Sequence, residues 1–212
     1  MEFGKSKNRI TRQYELGEEK IKKVESEKDL GVLIIKEMSP YKHINEIVGE
    51  TYNLLRNIRN AFSYTDEDMV KKLLVSLIRP RLWYAAVLWS PYTWKNIRKI
   101  ERIQRAATKL APTSSAFTYE KRLERLELPT LEQRRKRGDL LTIYKIMNNM
   151  ELPDRINLLK RDRRDRRGHG LKLRKDNYKR DFKKNNFLHR VIDTYMERTG
   201  QRGGVCKVYT RL

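Results

Sequence analysis

The clearest structural signal in this sequence lies in residues 39–62, SPYKHINEIVGETYNLLRNIRNAF. Apolar and small side chains recur there at intervals of three and four residues, which places them along one face of a helix. That face comprises Ile44, Ile47, Val48, Thr51, Leu54, Leu55, Ile58 and Phe62. Ser39 and Pro40 are typical of a helix start, with serine as the N-cap and proline as the first helical residue. The segment therefore predicts an amphipathic helix.

Helical spacing continues towards the C-terminus. Thr65 and Asp66 predict the start of a second helix, and Pro80 predicts a kink or a break in it, because proline lacks the N–H that a helix interior needs. A third helix is expected to begin near Thr93, and Thr130 is expected to open a long one. Further helical segments are expected around residues 119–126 and 187–195.

The first part of the chain has a different pattern. Residues 13–24 predict a β-hairpin around the turn residue Gly17, and residues 30–35, LGVLII, predict a further strand. The sequence thus predicts a mainly α fold with a small N-terminal β element.

Composition shifts along the chain suggest five segments. Residues 1–36 are the expected β element and residues 37–159 an expected helical bundle. Residues 160–170, where arginines are dense, predict a basic linker. A C-terminal helical segment is expected at 171–198 and a flexible tail at 199–212.

The charge balance is the main indication of a partner. The 212-residue chain has 49 Lys and Arg against 27 Asp and Glu, for a net charge of +22. Such an excess favours a polyanionic partner, since phosphate contacts release condensed counterions. Nucleic acid is the first candidate and an anionic membrane surface the second. A charge that serves only solubility is the third interpretation.

Two basic clusters lie on predicted helices and are the candidate phosphate contacts. They are Arg98, Lys99, Arg102, Arg105 and Lys109 in one helix and Arg134, Arg135, Lys136 and Arg137 in another. A solvated surface without a ligand is the competing interpretation of both clusters. Nearby aromatic residues are candidates for stacking on bases or, as the commoner role, for the core: Trp83, Tyr84, Trp89, Tyr92 and Trp94.

Catalytic chemistry is not indicated. Asp66 and Asp68 occur where a helix cap is expected, so capping is preferred over metal binding. The single cysteine, Cys206, and three scattered histidines have no metal-ligand spacing. The sequence therefore predicts no catalytic residue and no metal site. Because no apolar stretch reaches the length of a membrane span and no signal peptide is evident, an intracellular location without a membrane anchor is expected.

Several strings resemble one family, the LINE-type, jockey-like non-LTR retrotransposon reverse transcriptases. These strings are residues 28–32 (KDLGV), 76–84 (SLIRPRLWY), 88–91 (LWSP), 100–109 (IERIQRAATK), 119–123 (YEKRL), 128–135 (LPTLEQRR), 167–171 (RGHGL) and 186–191 (NFLHRV). Their order and spacing extend over roughly residues 1–195. The chain is similar to the C-terminal part of such an enzyme.

The resemblance implies that residues 1–36 are a remnant of the palm and residues 37–159 a thumb-like bundle. It places a primer-grip-like turn at Leu30, Gly31 and Val32. The implied partners are RNA, DNA or an RNA–DNA duplex, with the catalytic palm supplied by the full-length polyprotein.

The family's Asp-Asp palm motif does not occur in this sequence. The chain alone is therefore not expected to polymerise, and Mg²⁺ is expected only for the complete enzyme. Two alternatives stay open: a stand-alone RNA-binding module, and a non-functional product of a decayed element.

Overall fold

A computed structural model describes residue 3, residues 13–148, residues 150 and 173, and residues 185–200. The chain divides into two compact units, residues 1–128 and 129–212. It is mainly helical with a small N-terminal β element, as the sequence predicts. The division at Pro129 falls inside the segment 37–159 that the sequence treats as one bundle. The predicted linker at 160–170 lies outside the described residues.

The β element consists of two short hairpins. Strands β1 (Glu15–Leu16) and β2 (Glu19–Lys20) pair antiparallel, as do β3 (Ser26–Asp29) and β4 (Val32–Ile35). Leu30 and Gly31 form the two-residue turn between β3 and β4, with φ of 45° and 79°. Positive φ at both central residues is the geometry of the hairpin turn whose twist matches its strands. The prediction of a strand from Leu30 onward is therefore wrong by two residues.

The first long helix, α1 (Tyr41–Ala61), carries the apolar face that the sequence predicts. Most of that face is buried, Leu54 is half-buried, and Phe62 at the C-terminal end is exposed. His43 is also buried, between strand β4 and the core. The prediction of a Ser39 cap is wrong, because Pro40 occupies the N-cap position and no side chain caps the helix.

The next helix is continuous through Pro80. It runs as α2 (Glu67–Leu73), a π-helical turn (Leu74–Ile78) and α3 (Arg79–Trp83). In the π-helical turn the backbone N–H of Arg79 donates to the carbonyl of Leu74, five residues back. This wider turn lets the helix continue into a segment where proline cannot donate. The sequence predicts a kink or a break at Pro80, and the break does not occur.

The inserted π turn also changes which residues are buried. Leu77 is exposed, whereas its neighbours Ile78 and Arg79 are buried. One extra residue per turn rotates the following face by about 100° relative to a regular α-helix. The rotation brings a charged side chain, Arg79, into the core.

Three further helices and short connecting turns complete the described part of the first unit. Helix α4 (Ala86–Trp89) leads to α5 (Trp94–Ala107), which is capped by the Thr93 hydroxyl and packs against α1. After a 3₁₀ turn (Pro112–Ser114), the hydroxyl of Thr118 caps helix α6 (Tyr119–Arg125). The core of this unit lies between α1, the continuous helix of residues 67–83 and α5.

The second unit contains α7 (Leu131–Met147) and α8 (Phe187–Gly200). Thr130 and Gln133 form a reciprocal capping box that fixes the start of α7. The two helices share a small apolar core made of Leu140, Ile143, Ile146, Leu173, Val191, Ile192 and Tyr195. Helix α8 extends to Gly200, two residues into the segment predicted as a tail. The rest of that tail lies outside the described residues.

Candidate nucleic-acid interface

Helix α5 separates an apolar face from a basic face. Its inner residues Ile100, Ile103 and Ala107 are fully buried, which fixes the rotation of the helix. The outer side carries four basic residues, and Lys109 follows in the turn after the helix; the basic stripe is defined here as Lys95, Arg98, Arg102, Arg105 and Lys109. All five are exposed. At about 100° per residue the four members on α5 lie within an arc of roughly 80° and extend over about three turns.

Sequence reasoning missed one residue of this row. Lys95 precedes the run on which the prediction rested, but it is three residues before Arg98 and therefore on the same face. The spacing of Lys95, Arg98, Arg102 and Arg105 is the signal that identifies it. Lys99, which the sequence groups with the stripe, lies at its edge and is half-buried. Its ammonium donates to the side-chain oxygen of Asn45 on α1, 2.5 Å away.

The basic stripe is not neutralised within its own helix. The one acidic residue in the sequence of α5 is Glu101, whose carboxylate accepts a hydrogen bond from the hydroxyl of Tyr119 on α6. Within residues 13–148, no carboxylate forms a salt bridge with a residue of the stripe. The positive charges are therefore exposed to solvent, and no carboxylate of these described residues pairs with them.

A buried polar network holds the stripe against the core. The guanidinium of Arg79 donates from Nε and Nη2 to the side-chain oxygen of Gln104, at 3.1 and 3.0 Å. Gln104 in turn donates to the Tyr119 hydroxyl at 3.0 Å. Burial and the neighbouring Glu101 carboxylate raise the pKa of Tyr119 far above its ordinary value, so the phenol stays protonated.

Arg105 is the stripe residue that this network orients. Its guanidinium carbon lies 4.6 Å from the centre of the Tyr119 ring, within the range of a cation–π contact. A stacked guanidinium loses less conformational freedom when it binds a phosphate, since its plane is already fixed. The Tyr119 ring therefore preorganises one cation of the stripe.

The second predicted basic cluster, in α7, is not a continuous surface. Arg135 is 5% exposed, so the prediction that it contacts phosphate is not supported by its position. Arg134 is half-buried, and Lys136 forms an i,i+4 salt bridge with Glu132 at 2.9 Å. Arg137 is exposed. Four consecutive residues extend around a helix, so a run of basic letters cannot make one face.

The predicted primer-grip-like residues form the β3–β4 turn. Leu30 is 83% exposed, Gly31 is exposed, and Val32 begins β4 as a buried residue. The hydroxyl of Tyr84 donates to the carbonyl of Leu30 at 2.8 Å, which fastens the turn to the end of α3. A Cβ on Gly31 would lie 3.5 Å from the Tyr84 ring, so the turn rests against that ring.

The aromatic residues divide between core and surface. Trp89 is 3% exposed and donates from its indole N–H to the carbonyl of Tyr84, as a core residue does. Trp83 is half-buried. Trp94, by contrast, is 71% exposed at the first turn of α5, and Tyr84 and Tyr92 are exposed as well. The core interpretation therefore applies to Trp89 but not to Trp94.

Candidate acidic and metal-binding residues take other roles where the structure describes them. Asp66 caps α2 by accepting from the backbone N–H of Met69 at 2.7 Å. Thr65, also predicted at this helix start, instead donates to the carbonyl of Leu110. Among the described residues no group of three or more His, Cys, Asp or Glu is placed to hold a metal ion.

The same part of the chain contains no helix with both the length and the apolar character needed to cross a membrane. No family model, no curated protein and no solved structure matches this chain.

Proposed function

We propose that the first unit binds a nucleic-acid backbone through the basic stripe of α5. The chain then acts as the template–primer-gripping C-terminal part of a LINE-type reverse transcriptase and does not itself polymerise. The observation that carries the proposal is the stripe itself: four exposed cations on one face of α5 and a fifth in the turn that follows, with the one acid in the sequence of that helix hydrogen-bonded to Tyr119.

Counterion release sets the size of the expected effect. A protein that neutralises Z phosphates of a duplex has a slope of about −0.9Z in log affinity against log salt. Five contacts would give a slope of about −4.5, and an affinity loss of several hundred-fold between 50 and 200 mM salt. A slope near zero for hybrid duplex would contradict the proposal.

The central test neutralises two stripe residues that form no hydrogen bond, salt bridge or ring contact with a described side chain. Arg98→Gln with Arg102→Gln should weaken hybrid-duplex binding and make the salt slope less negative by about 2. The matched control is Arg56→Gln with Arg59→Gln. It removes two exposed arginines of α1 and changes the net charge by the same amount. Equal losses in both double variants would mean that net charge, and not the stripe, drives binding.

Preference among nucleic acids separates the proposed grip from a stand-alone RNA-binding module. Affinities for RNA–DNA hybrid, double-stranded RNA, double-stranded DNA and single strands are compared at one salt concentration. A preference for the hybrid supports the template–primer grip. A preference for RNA irrespective of a DNA strand would favour the module, and equal binding of every polyanion would contradict both.

The proposed lack of polymerase activity has its own test. A primed RNA template with deoxynucleotides and either Mg²⁺ or Mn²⁺ should give no extension product with the purified chain. Extension that persists through purification would overturn this part of the proposal. A coil-like circular dichroism spectrum at room temperature would instead favour the product of a decayed element.

A further inference from the structure

We propose that Trp94 stacks on an unpaired base beside the phosphates that the basic stripe contacts. The preferred ligand is therefore a duplex with a single-stranded extension, and not a blunt duplex. This inference rests on the proposed function, because it takes the phosphate contacts of the basic stripe as given and adds a base contact at the N-terminal end of the stripe.

The exposure of Trp94 has no explanation in the packing of the fold. Tryptophan is among the most buried residues on average because its ring removes a large apolar area from water. Trp89 follows that rule, whereas Trp94 leaves 71% of its surface in solvent. A ring so placed is available for a ligand.

The position of the ring links it to the cations. Trp94 is four residues before Arg98 and eleven before Arg105, so all three lie within about 40° on the helix. Residues four apart on a helix have Cβ atoms about 5–6 Å apart. The ring thus continues the basic stripe at its N-terminal end. A strand whose phosphates follow the arginines would bring a base to the indole once base pairing has ended.

An unpaired base fits this arrangement better than a lipid surface does. Helices that lie in a membrane interface bury a broad apolar face among the acyl chains. The apolar face of α5 is already used, with Ile100, Ile103 and Ala107 fully buried in the protein core. What α5 offers outward is one aromatic ring in a row of cations, which is the combination found in grooves that bind single strands.

The test compares one hybrid duplex in two forms, blunt and with a four-nucleotide single-stranded extension. The wild-type chain should bind the extended form more tightly. Trp94→Leu, which keeps an apolar side chain but removes the π face, should reduce affinity for the extended form by about 5- to 150-fold. Its affinity for the blunt form and its salt slope should stay as in the wild type. Trp94→Phe should retain much of the preference.

Leu88→Ala is the matched control, because Leu88 is also a strongly exposed apolar residue of the same unit. It should bind both duplexes as the wild type does. Unchanged binding by Trp94→Leu, with a steep salt slope retained, would overturn the stacking proposal and leave the proposed function standing. No salt-dependent binding by the wild type would overturn both. Binding to anionic vesicles that depends on Trp94 would assign the ring to a membrane and overturn the stacking proposal.

Discussion

The backbone N–H of Leu33 in β4 donates a hydrogen bond to Nδ1 of His43 in α1, 3.1 Å away. The histidine is buried, and its ring also meets Trp89 edge-on, with ring centres 5.3 Å apart. One neutral imidazole therefore joins the small β element to the helical core. Accepting at Nδ1 requires that this nitrogen carry no proton, so protonation of the ring and this hydrogen bond exclude each other.

Acid should weaken the fold through His43. Burial lowers its pKa below the ordinary value, an effect that the nearby Glu46 carboxylate opposes. The unfolded chain, with a pKa of about 6.5, therefore takes up the proton before the folded chain does. The stabilisation is complete above about pH 6.5 and is lost as the pH falls towards the folded pKa, with a limiting slope of about 1.4 kcal/mol per pH unit. Urea unfolding at several pH values between 5 and 8 measures this loss of stability.

His43→Asn is the control for the pH dependence, because the asparagine side-chain oxygen lies near the position of Nδ1 and can accept from Leu33 without titrating. The variant should be less stable at pH 7.5, since it loses the contact with Trp89. Its free energy of unfolding should nevertheless fall less steeply between pH 6.5 and 5 than that of the wild type. Parallel profiles for the two proteins would show that other groups cause the acid dependence.

Most of the helical architecture was predictable because apolar spacing determines which side of a helix is buried. The buried residues of α1 follow that spacing, and the threonine caps of α5 and α7 occur where the sequence places the helix starts. Capping depends on one side chain and a backbone donor two or three residues ahead. Such local signals do not require knowledge of the rest of the fold.

The features that sequence reasoning missed depend on partners outside the segment that shows them. Strand β3 is entirely polar, SEKD, and it forms because β4 offers it a pairing edge. The buried Arg79 guanidinium has its acceptor in Gln104, 25 residues later. The rotation of each helix about its own axis also decides which basic residues are exposed. Burial of Ile100 and Ile103 turns the basic stripe towards solvent, whereas the rotation of α7 buries Arg135.

The β3–β4 turn allows stability and binding to be tested separately. Leu30 adopts φ of 45°, which costs a leucine roughly 1 kcal/mol, and its side chain is exposed. Leu30→Asn would create the Asn-Gly pair that this turn type prefers. It should raise the free energy of unfolding by about 0.5–1 kcal/mol in urea titrations.

The same variant tests whether the turn resembles a primer grip in function. If the exposed Leu30 side chain contacts primer, Leu30→Asn should bind a primed hybrid less tightly although it is more stable. Unchanged affinity together with greater stability would limit Leu30 to a structural role. Gly31→Ala provides the opposite control, because alanine at φ of 79° is strained and should destabilise the hairpin.

Removing the centre of the buried polar network should be costly. Gln104→Leu deprives the Arg79 guanidinium of an acceptor and the Tyr119 hydroxyl of a donor, both in the core. Leaving such groups without these bonds should reduce the free energy of unfolding by about 2–4 kcal/mol. Chemical denaturation measures the loss. Gln133→Leu is the matched control: it removes a glutamine bond at the exposed start of α7 and should cost about 1 kcal/mol or less.

The second unit depends on a charged pair that joins its two helices. Arg190 on α8 donates from Nε and Nη2 to the two carboxylate oxygens of Asp139 on α7, at 2.8 and 3.1 Å. Both side chains are largely shielded from water, so the pair is stronger than an exposed one. Asp139→Asn keeps the size of the side chain but removes its charge, and should cost about 1–3 kcal/mol.

Because the loss is confined to the contact between α7 and α8, amide hydrogen exchange should accelerate in residues 187–195 and stay unchanged in α1 and α5. Glu132→Gln, which breaks the exposed pair with Lys136, should leave exchange in α8 as in the wild type. If hydrogen exchange in the Asp139→Asn variant accelerated equally in both units, the two units would unfold as one cooperative body. No acceleration in α8 would mean that the apolar residues around Val191 hold the helix without the ion pair.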